Sequence, residues 1–362
     1  MITKIEIYPK MLPLKSDFNI ASGNVADSKK GAPHIFLKVF DDENNYGWGE
    51  ARPSHRWSYE TFETVVSALE NYIIPELIGV DEFDLKTIHK RMNNIIANGI
   101  VTGQPIAKSS VDMALYDLIS KKMNLSLRKF LTSNSFNKIH LSYIISAQNP
   151  EEGSFQAEKA IKEGFTGIKI KAGINYEKDL DIIKAISEVA KDLFIIVDAN
   201  QSWDIPKTIK ICKELYYTNV KYIEQPLPAN DILGYSQLLK KVDLPIALDE
   251  SIYTAQDLIN HIKLDAINAL VLKISRCAGI YNAYLIGRIA LENGITLIGG
   301  GLTESSLGMM ASAQLFAALN ISLPVDLNGM QFLSDHLFKY KPFNKTYIEL
   351  DDTPGIGIEP II

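Results

Sequence analysis

Cysteine is nearly absent: the 362-residue chain holds only Cys212 and Cys277 and no CxxC pair. Two such residues build no disulfide framework, so a reducing compartment is the simpler assumption, and both read as buried thiols rather than metal ligands. Long hydrophobic runs are missing as well. Charged residues break every apolar stretch of the opening MITKIEIYPKMLPLK, and nothing later approaches about eighteen uninterrupted apolar residues, which argues against a signal peptide and a spanning helix. Positive charge is not in excess: 43 acidic against 37 basic side chains leave a formal charge of -6, which argues against nucleic acid or an anionic membrane as partner. A cytoplasmic protein is expected. With 46% apolar and 22% charged residues the composition is that of a globular chain, long enough for two domains or one α/β barrel with additions.

Residues 2–9 and 33–40 alternate in strand fashion, and DDENNYG at 41–47 is a turn leading into WGEA. From about Tyr59 to Lys122 the spacing becomes helical, with Ser58 as N-cap and AKSSVDMALYDLISKKM as a long amphipathic helix. From His140 onward short apolar runs recur, each ending in polar residues and followed by a helical stretch: HLSYIIS, GFTGIKIKA, LFIIVDAN, VKYIEQP, LPIALDE, ALVLKIS, GITLIGGG and ISLPVD. Asp198 to Glu224 is 26 positions and Glu224 to Asp249 is 25, the length of one strand, one helix and short loops. Eight strands alternating with helices predict an α/β fold with a parallel barrel; an open doubly wound sheet is the alternative that periodicity leaves.

Catalytic groups of such barrels come from the C-terminal ends of several strands. Asp198, Glu224 and Asp249 close the third, fourth and fifth runs, so adjacent strands deliver three carboxylates to one rim. Oxygen donors with room for water and substrate suit Mg²⁺, and the lack of histidine at these strand ends disfavours zinc. Lys169 and Lys171, two apart in GIKIKAG, point to one face of the second strand, and Lys273 ends the sixth. Strands two and six of an eight-stranded barrel are opposite, so Lys171 and Lys273 flank whatever binds between them. A nearby metal, mutual repulsion and partial burial are expected to depress lysine pKa values there, as a general base requires. A carbon acid next to a carboxylate then loses its proton to one lysine through an enediolate. Return of the proton from the opposite lysine inverts the centre; loss of a leaving group gives elimination or cycloisomerisation instead.

KIK at 169–171, DANQSW at 198–203, EQP at 224–226, DES at 249–251 and Lys273 together resemble the enolase superfamily, in its muconate lactonizing enzyme subgroup. The resemblance runs from WGEA at 48–51 and MALYDL at 113–118 to GIGI at 355–358. It implies a modified (β/α)7β TIM-like barrel at 131–326, an α+β capping domain at 1–130 and a C-terminal segment, 327–362, returning to the cap. Asp198, Glu224 and Asp249 would bind Mg²⁺. Lys171 and Lys273 would be the acid/base pair, and Lys169 a helper at the substrate carboxylate.

The subgroup includes cycloisomerases, o-succinylbenzoate synthases and dipeptide epimerases. Dipeptide epimerases carry Asp-x-Asp after the eighth strand to hold the substrate ammonium; here PVDLNGMQFL supplies Asp326 and Asn328, one carboxylate and one neutral acceptor. GGGLTESSLG resembles the epimerase pattern in which Gly301, Leu302 and Thr303 border the substrate, and Ile144 at the end of strand one presents an apolar wall. The expected activity is epimerisation of a small dipeptide at the α-carbon of its C-terminal residue, Ala-Glu being one candidate; a cycloisomerase or o-succinylbenzoate synthase is the alternative. Ala-Glu epimerases place an arginine near the position of Gly23, where this chain has none, leaving Lys29, Lys30, His55 and Arg56 as cationic candidates. Barrels of this type commonly assemble through their helices, so a homo-oligomer is compatible with the sequence.

Overall fold

Alternation in the first forty residues is realised as antiparallel strands. The computed structural model describes every residue except 27, 100, 335, 336 and 339–342, and the backbone alone of Ala26. β1 (Ile2–Leu12) and β5 (Tyr46–Ala51) pair with a central β4 (Ala32–Asp41), while β2 (Phe18–Ile20) and β3 (Gly23–Ala26) form a separate two-stranded flap. The expected turn forms because Asp41 Oδ1 accepts the amides of Glu43 and Asn45, which ties the chain back on itself.

Helices α1 (Phe62–Ala68), α2 (Ile74–Leu77), α3 (Leu85–Ile95), α4 (Pro105–Lys122) and α5 (Leu127–Leu131) follow. Two sequence expectations are corrected here. The N-cap of α1 is Thr61, whose side chain forms a reciprocal capping box with Thr64; Ser58 Oγ instead accepts the Glu60 amide. And α4 is not amphipathic toward solvent, since Pro105 through Ser120 are all buried. Its polar residues pair with neighbouring elements: Lys108 donates to Asn93 and the Ile96 carbonyl, Asp112 holds His89 and the Ile280 amide, and Asp117 receives the Trp48 and Ile356 amides.

After β6 (Lys138–His140), strands β7 (Ser142–Ser146), β8 (Gly167–Lys171), β9 (Phe194–Asp198), β10 (Val220–Glu224), β11 (Ile246–Leu248), β12 (Ala269–Leu272) and β13 (Thr296–Gly299) form one seven-stranded parallel sheet in sequence order. Helices α6 (Pro150–Glu163), α7 (Asp179–Val189), α8 (Ile205–Leu215), α9 (Ile232–Leu239), α10 (Ala255–Lys263), α11 (Ile280–Glu292) and α12 (Ser306–Ala318) follow these strands one by one. The run ISLPVD appears only as two parallel bridges, Val325 to Leu141 and Asp326 to Gly300. Pro324, which lacks an amide donor, shortens what can pair. These bridges reach both outer edges, so the sheet is curled.

Short α13 (Gly329–Phe332) precedes β14 (Tyr347–Glu349), which pairs with β6. The chain then returns to the first elements: the Ile356 amide donates to Asp117, and Glu359 accepts from Tyr46 and Lys121. Cys212 and Cys277 are buried free thiols, and no described helix is long and apolar enough to cross a membrane.

Candidate active site

Parallel register aligns the strand ends. Lys171 stands opposite Asp198, and Asp198 opposite Glu224, in one row across β8, β9 and β10; Asp249 and Lys273 directly follow β11 and β12. All five side chains are buried. The residues just beyond the acids take left-handed backbone, Asn200 at φ 41° and Gln225 at φ 39°, and Thr303 does so at φ 64°. Non-glycine residues in this region carry strain of about 1–3 kcal/mol, which is tolerated where the surrounding structure dictates the conformation. Here the Asn200 amide donates to Asp198 Oδ1, and the Gln225 side chain receives the Asp249 amide while donating to Tyr235 and Ser251.

The charged groups interlock. Lys169 Nζ lies 2.7 Å from Glu224 Oε1 and 3.0 Å from Asp326 Oδ2; Lys171 Nζ lies 2.8 Å from Asp198 Oδ2 and 3.9 Å from Asp326 Oδ2. Lys273 Nζ contacts Asp249 Oδ2 at 2.6 Å, and buried Arg276 takes the other oxygen of that carboxylate. Burial opposes charge on Asp198, yet Lys171 and Lys169 outweigh it and hold this carboxyl below its ordinary range. Burial and repulsion from Asp198 push Glu224 up. Lys273 is lowered by burial and by the charge of Lys169, as a base site requires. Lys169 departs from expectation: burial would depress it, but Glu224, Asp326 and Asp198 together raise it well above the usual lysine value.

Lys171, Lys273, Gly301, Leu302, Thr303, Asp326 and Asn328 line one cleft beneath the flap, together with Phe18, Trp57 and Arg52. Its free volume is about 30 Å³, room for roughly one or two waters. Gly300 is closely packed behind the cleft, where a Cβ would sit 2.7 Å from Val271 Cγ1 and 2.9 Å from Lys273 Cε. Buried acceptors without a partner among the described residues include Glu224 Oε2, Asp326 Oδ1 and Asn328 Oδ1. Ile144 is buried on the face it shares with Lys169, its backbone clamped by Gln331, and does not line the cleft.

For Mg²⁺ the donor set is suitable, three buried carboxylates on adjacent strands with Glu224 Oε2 unengaged. As placed, however, ammonium and guanidinium groups occupy four of the remaining oxygens and the Asn200 amide the fifth, and the described residues contain no preassembled cluster of three ligands.

Of the cationic candidates on the cap, Lys30, His55 and Arg56 line a groove outside the flap. Arg56 lies beside Gly23, its guanidinium carbon 3.8 Å from where a Cβ would stand, so an arginine does occupy the neighbourhood in which the sequence lacked one. Sequence reasoning missed Arg52, a fully buried arginine lining both cleft and groove. Burial lowers its pKa to about 10, which leaves it cationic at neutral pH. The only sequence signal was its place immediately after WGEA. Also missed was Glu304, which receives the Leu302 amide and is pushed up to about 7 by burial.

Residues 154–361 match the family model "Enolase C-terminal domain-like", and residues 4–132 match "Mandelate racemase / muconate lactonizing enzyme, N-terminal domain". The chain is 30% identical over 361 residues to an N-succinyl-L-Arg/Lys racemase of Bacillus cereus, covering 99% of this chain and 95% of the racemase. It is 29% identical over 365 residues to an L-Ala-D/L-Glu epimerase of Clostridium acetobutylicum, covering 100% and 99%. A dipeptide epimerase of Enterococcus faecalis, solved with Mg and the dipeptide L-Leu-L-Tyr, superposes with a TM-score of 0.89 at 28% identity over 99% of each chain. By sequence and by fold, the chain belongs to the mandelate racemase and muconate lactonizing enzyme branch of the enolase superfamily.

Proposed function

We propose that this protein is a Mg²⁺-dependent dipeptide epimerase, moving a proton at the α-carbon of the C-terminal residue between Lys171 and Lys273. The observation that carries the reading is a pair of buried, unpartnered acceptors, Asp326 Oδ1 and Asn328 Oδ1, in the cleft that both lysines line. An ammonium group supplies the donors such acceptors require, and a dipeptide brings one at a fixed distance from its C-terminal carboxylate. The epimerases and the racemase among its relatives support an isomerase.

Asp198, Glu224 and Asp249 would hold Mg²⁺, which supplies positive charge at the substrate carboxylate and so acidifies the adjacent carbon. One lysine, as free amine, takes the α-proton while the electron pair of the C–H bond moves toward the carboxylate. The other lysine, as ammonium, delivers a proton to the opposite face, and the configuration inverts. Lys169 stays charged between Glu224 and Asp326 and donates to the substrate carboxylate. We also count residues 321–326 as the eighth strand, closing a (β/α)7β barrel at 131–326 beneath a cap formed by 1–130 and the returning 327–362; the bridges of Val325 and Asp326 support this.

A second reading is an acylated substrate without an ammonium, including o-succinylbenzoate-type chemistry. The 3.0 Å contact of Lys169 with Asp326 favours it, because Asp326 then serves as a counter-ion alone. Incubation of a dipeptide library with enzyme and Mg²⁺ in D2O separates the two. Exchange at the C-terminal α-carbon that Asp326→Ala lowers about 100-fold or more, by loss of a charge-assisted bond, supports dipeptides. Exchange of N-acyl amino acids alone, insensitive to that change, supports the second.

A further inference from the structure

Trp57 reaches the cleft from the N-terminal elements. It follows β5 in a turn where its own amide and that of Ser58 both donate to the Ser54 carbonyl. The indole is partly buried, packs against the core of the N-terminal elements and against that of the curled sheet, and lines the cleft together with Lys273. Lys273 Nζ lies 4.4 Å from the centroid of its ring, within the distance at which a ring face attracts a cation. Lys171 has no equal contact: its Nζ is 6.0 Å from the Phe18 ring of the flap, at the limit of that distance. Among the described residues the only hydrogen bond of Lys273 Nζ goes to Asp249 Oδ2. On the proposed reading that carboxylate turns to Mg²⁺, and the indole face is then the contact left to hold the amine. Trp57 Nε1 is buried without a hydrogen-bond partner, so the residue offers its surroundings a ring rather than a polar anchor.

We infer that Trp57 is a positioning residue for Lys273, its indole face fixing Nζ on one side of the substrate α-carbon. A lysine stem is flexible and its amine takes many positions, and a ring face that attracts the charge narrows them. The inference rests on the two-lysine reading and deepens it: one of the two proton-transfer groups is assembled only when the segment after β5 is docked. A Trp57 that merely packs one core on the other would affect both lysines alike, since both line the same cleft.

Initial loss of the α-hydrogen in D2O, at saturating substrate with Mg²⁺, separates the lysines, because each epimer of an accepted dipeptide yields its proton to one of them. Lys273→Met identifies the epimer that Lys273 serves. Trp57→Leu should slow that epimer about 3- to 30-fold relative to the other, the range of a buried cation–π contact. Trp57→Phe keeps a ring and breaks no hydrogen bond, so it should recover most of the ratio. Equal slowing of both epimers, or a ratio that Trp57→Phe fails to recover, overturns the assignment. A second readout needs neither metal nor turnover, since an ammonium against an indole quenches its emission. In EDTA, Lys273→Met should brighten tryptophan fluorescence in the wild-type background and leave it unchanged in the Trp57→Phe background. No brightening, or the same brightening in both backgrounds, also overturns the assignment. If neither dipeptides nor N-acyl amino acids lose the α-hydrogen, or the two lysine variants fail to separate the epimers, the two-lysine reading falls, and the fluorescence pair alone decides whether the ring holds Lys273.

Discussion

Lysine and carboxylate here take opposite roles in one buried cluster, and the balance of burial against partner charge decides each. Lys169 sits within 3.5 Å of three carboxylates and is held protonated, while Lys273, facing the charge of Lys169, is lowered. The same competition appears away from the cleft. Glu60 is buried and receives the Ile106 and Ala107 amides at the start of α4, yet burial pushes it up to about 7. An acid raised in the folded state stabilises the fold relative to the unfolded chain's ordinary value near 4.5, and that contribution is present below 4.5 and lost as pH rises through about 7. Glu60→Gln should therefore remove the fall in stability between about pH 4.5 and 7, and at low pH should be less stable than wild type because one of the Ile106 and Ala107 amides then faces an NH2 group, both read from urea unfolding at each pH. At this scale the sequence was legible where chemistry sits at strand ends, as at Lys171, Asp198 and Glu224. It was not legible for the place of Arg52 or the charge of Lys169, because burial and counter-ions there come from residues distant in the chain.

Helix α4 lies against β5 so closely that glycine is required between them: a Cβ at Gly49 would stand 1.9 Å from the Ser110 carbonyl. Backbone cannot retreat as a flexible side chain does, so Gly49→Ala should cost about 3 kcal/mol or more, measured as a lower urea midpoint at unchanged slope. Gly300→Ala presses on side chains instead, Val271 and the Lys273 stem, and should lower kcat at a smaller cost in stability than Gly49→Ala. Elements of the parallel sheet were readable because each strand-helix repeat is local. The burial of α4 was not: its lysine, serines and aspartates match a solvent-facing pattern, and only long-range partners such as His89, Trp48 and Ile356 satisfy them.

Across the whole molecule, the N-terminal elements, the curled sheet and the returning C-terminal segment meet over one cleft, with the flap above and the charged cluster below. Internal ion pairs hold the carboxylates, so on the proposed reading Mg²⁺ would displace Lys171 and Lys273 from Asp198 and Asp249. Chelation should abolish exchange and Mg²⁺ restore it. Saturating Mg²⁺ should also raise the thermal midpoint, since about 2.7 kcal/mol follows from a concentration 100-fold above Kd. Curling of the sheet followed from eight apolar runs of even spacing, whereas the size of the cleft and the docking of the flap depend on packing between remote segments. Two-sided proton transfer is the central claim, and stereospecific exchange in D2O tests it most directly. With an accepted L,L-dipeptide and its L,D epimer, wild type should exchange and invert both. Lys171→Met and Lys273→Met should each lose inversion, one variant retaining α-hydrogen exchange with one epimer and the other variant with the opposite epimer. Inversion that persists in either variant, or retained exchange on the same epimer in both, would contradict the account.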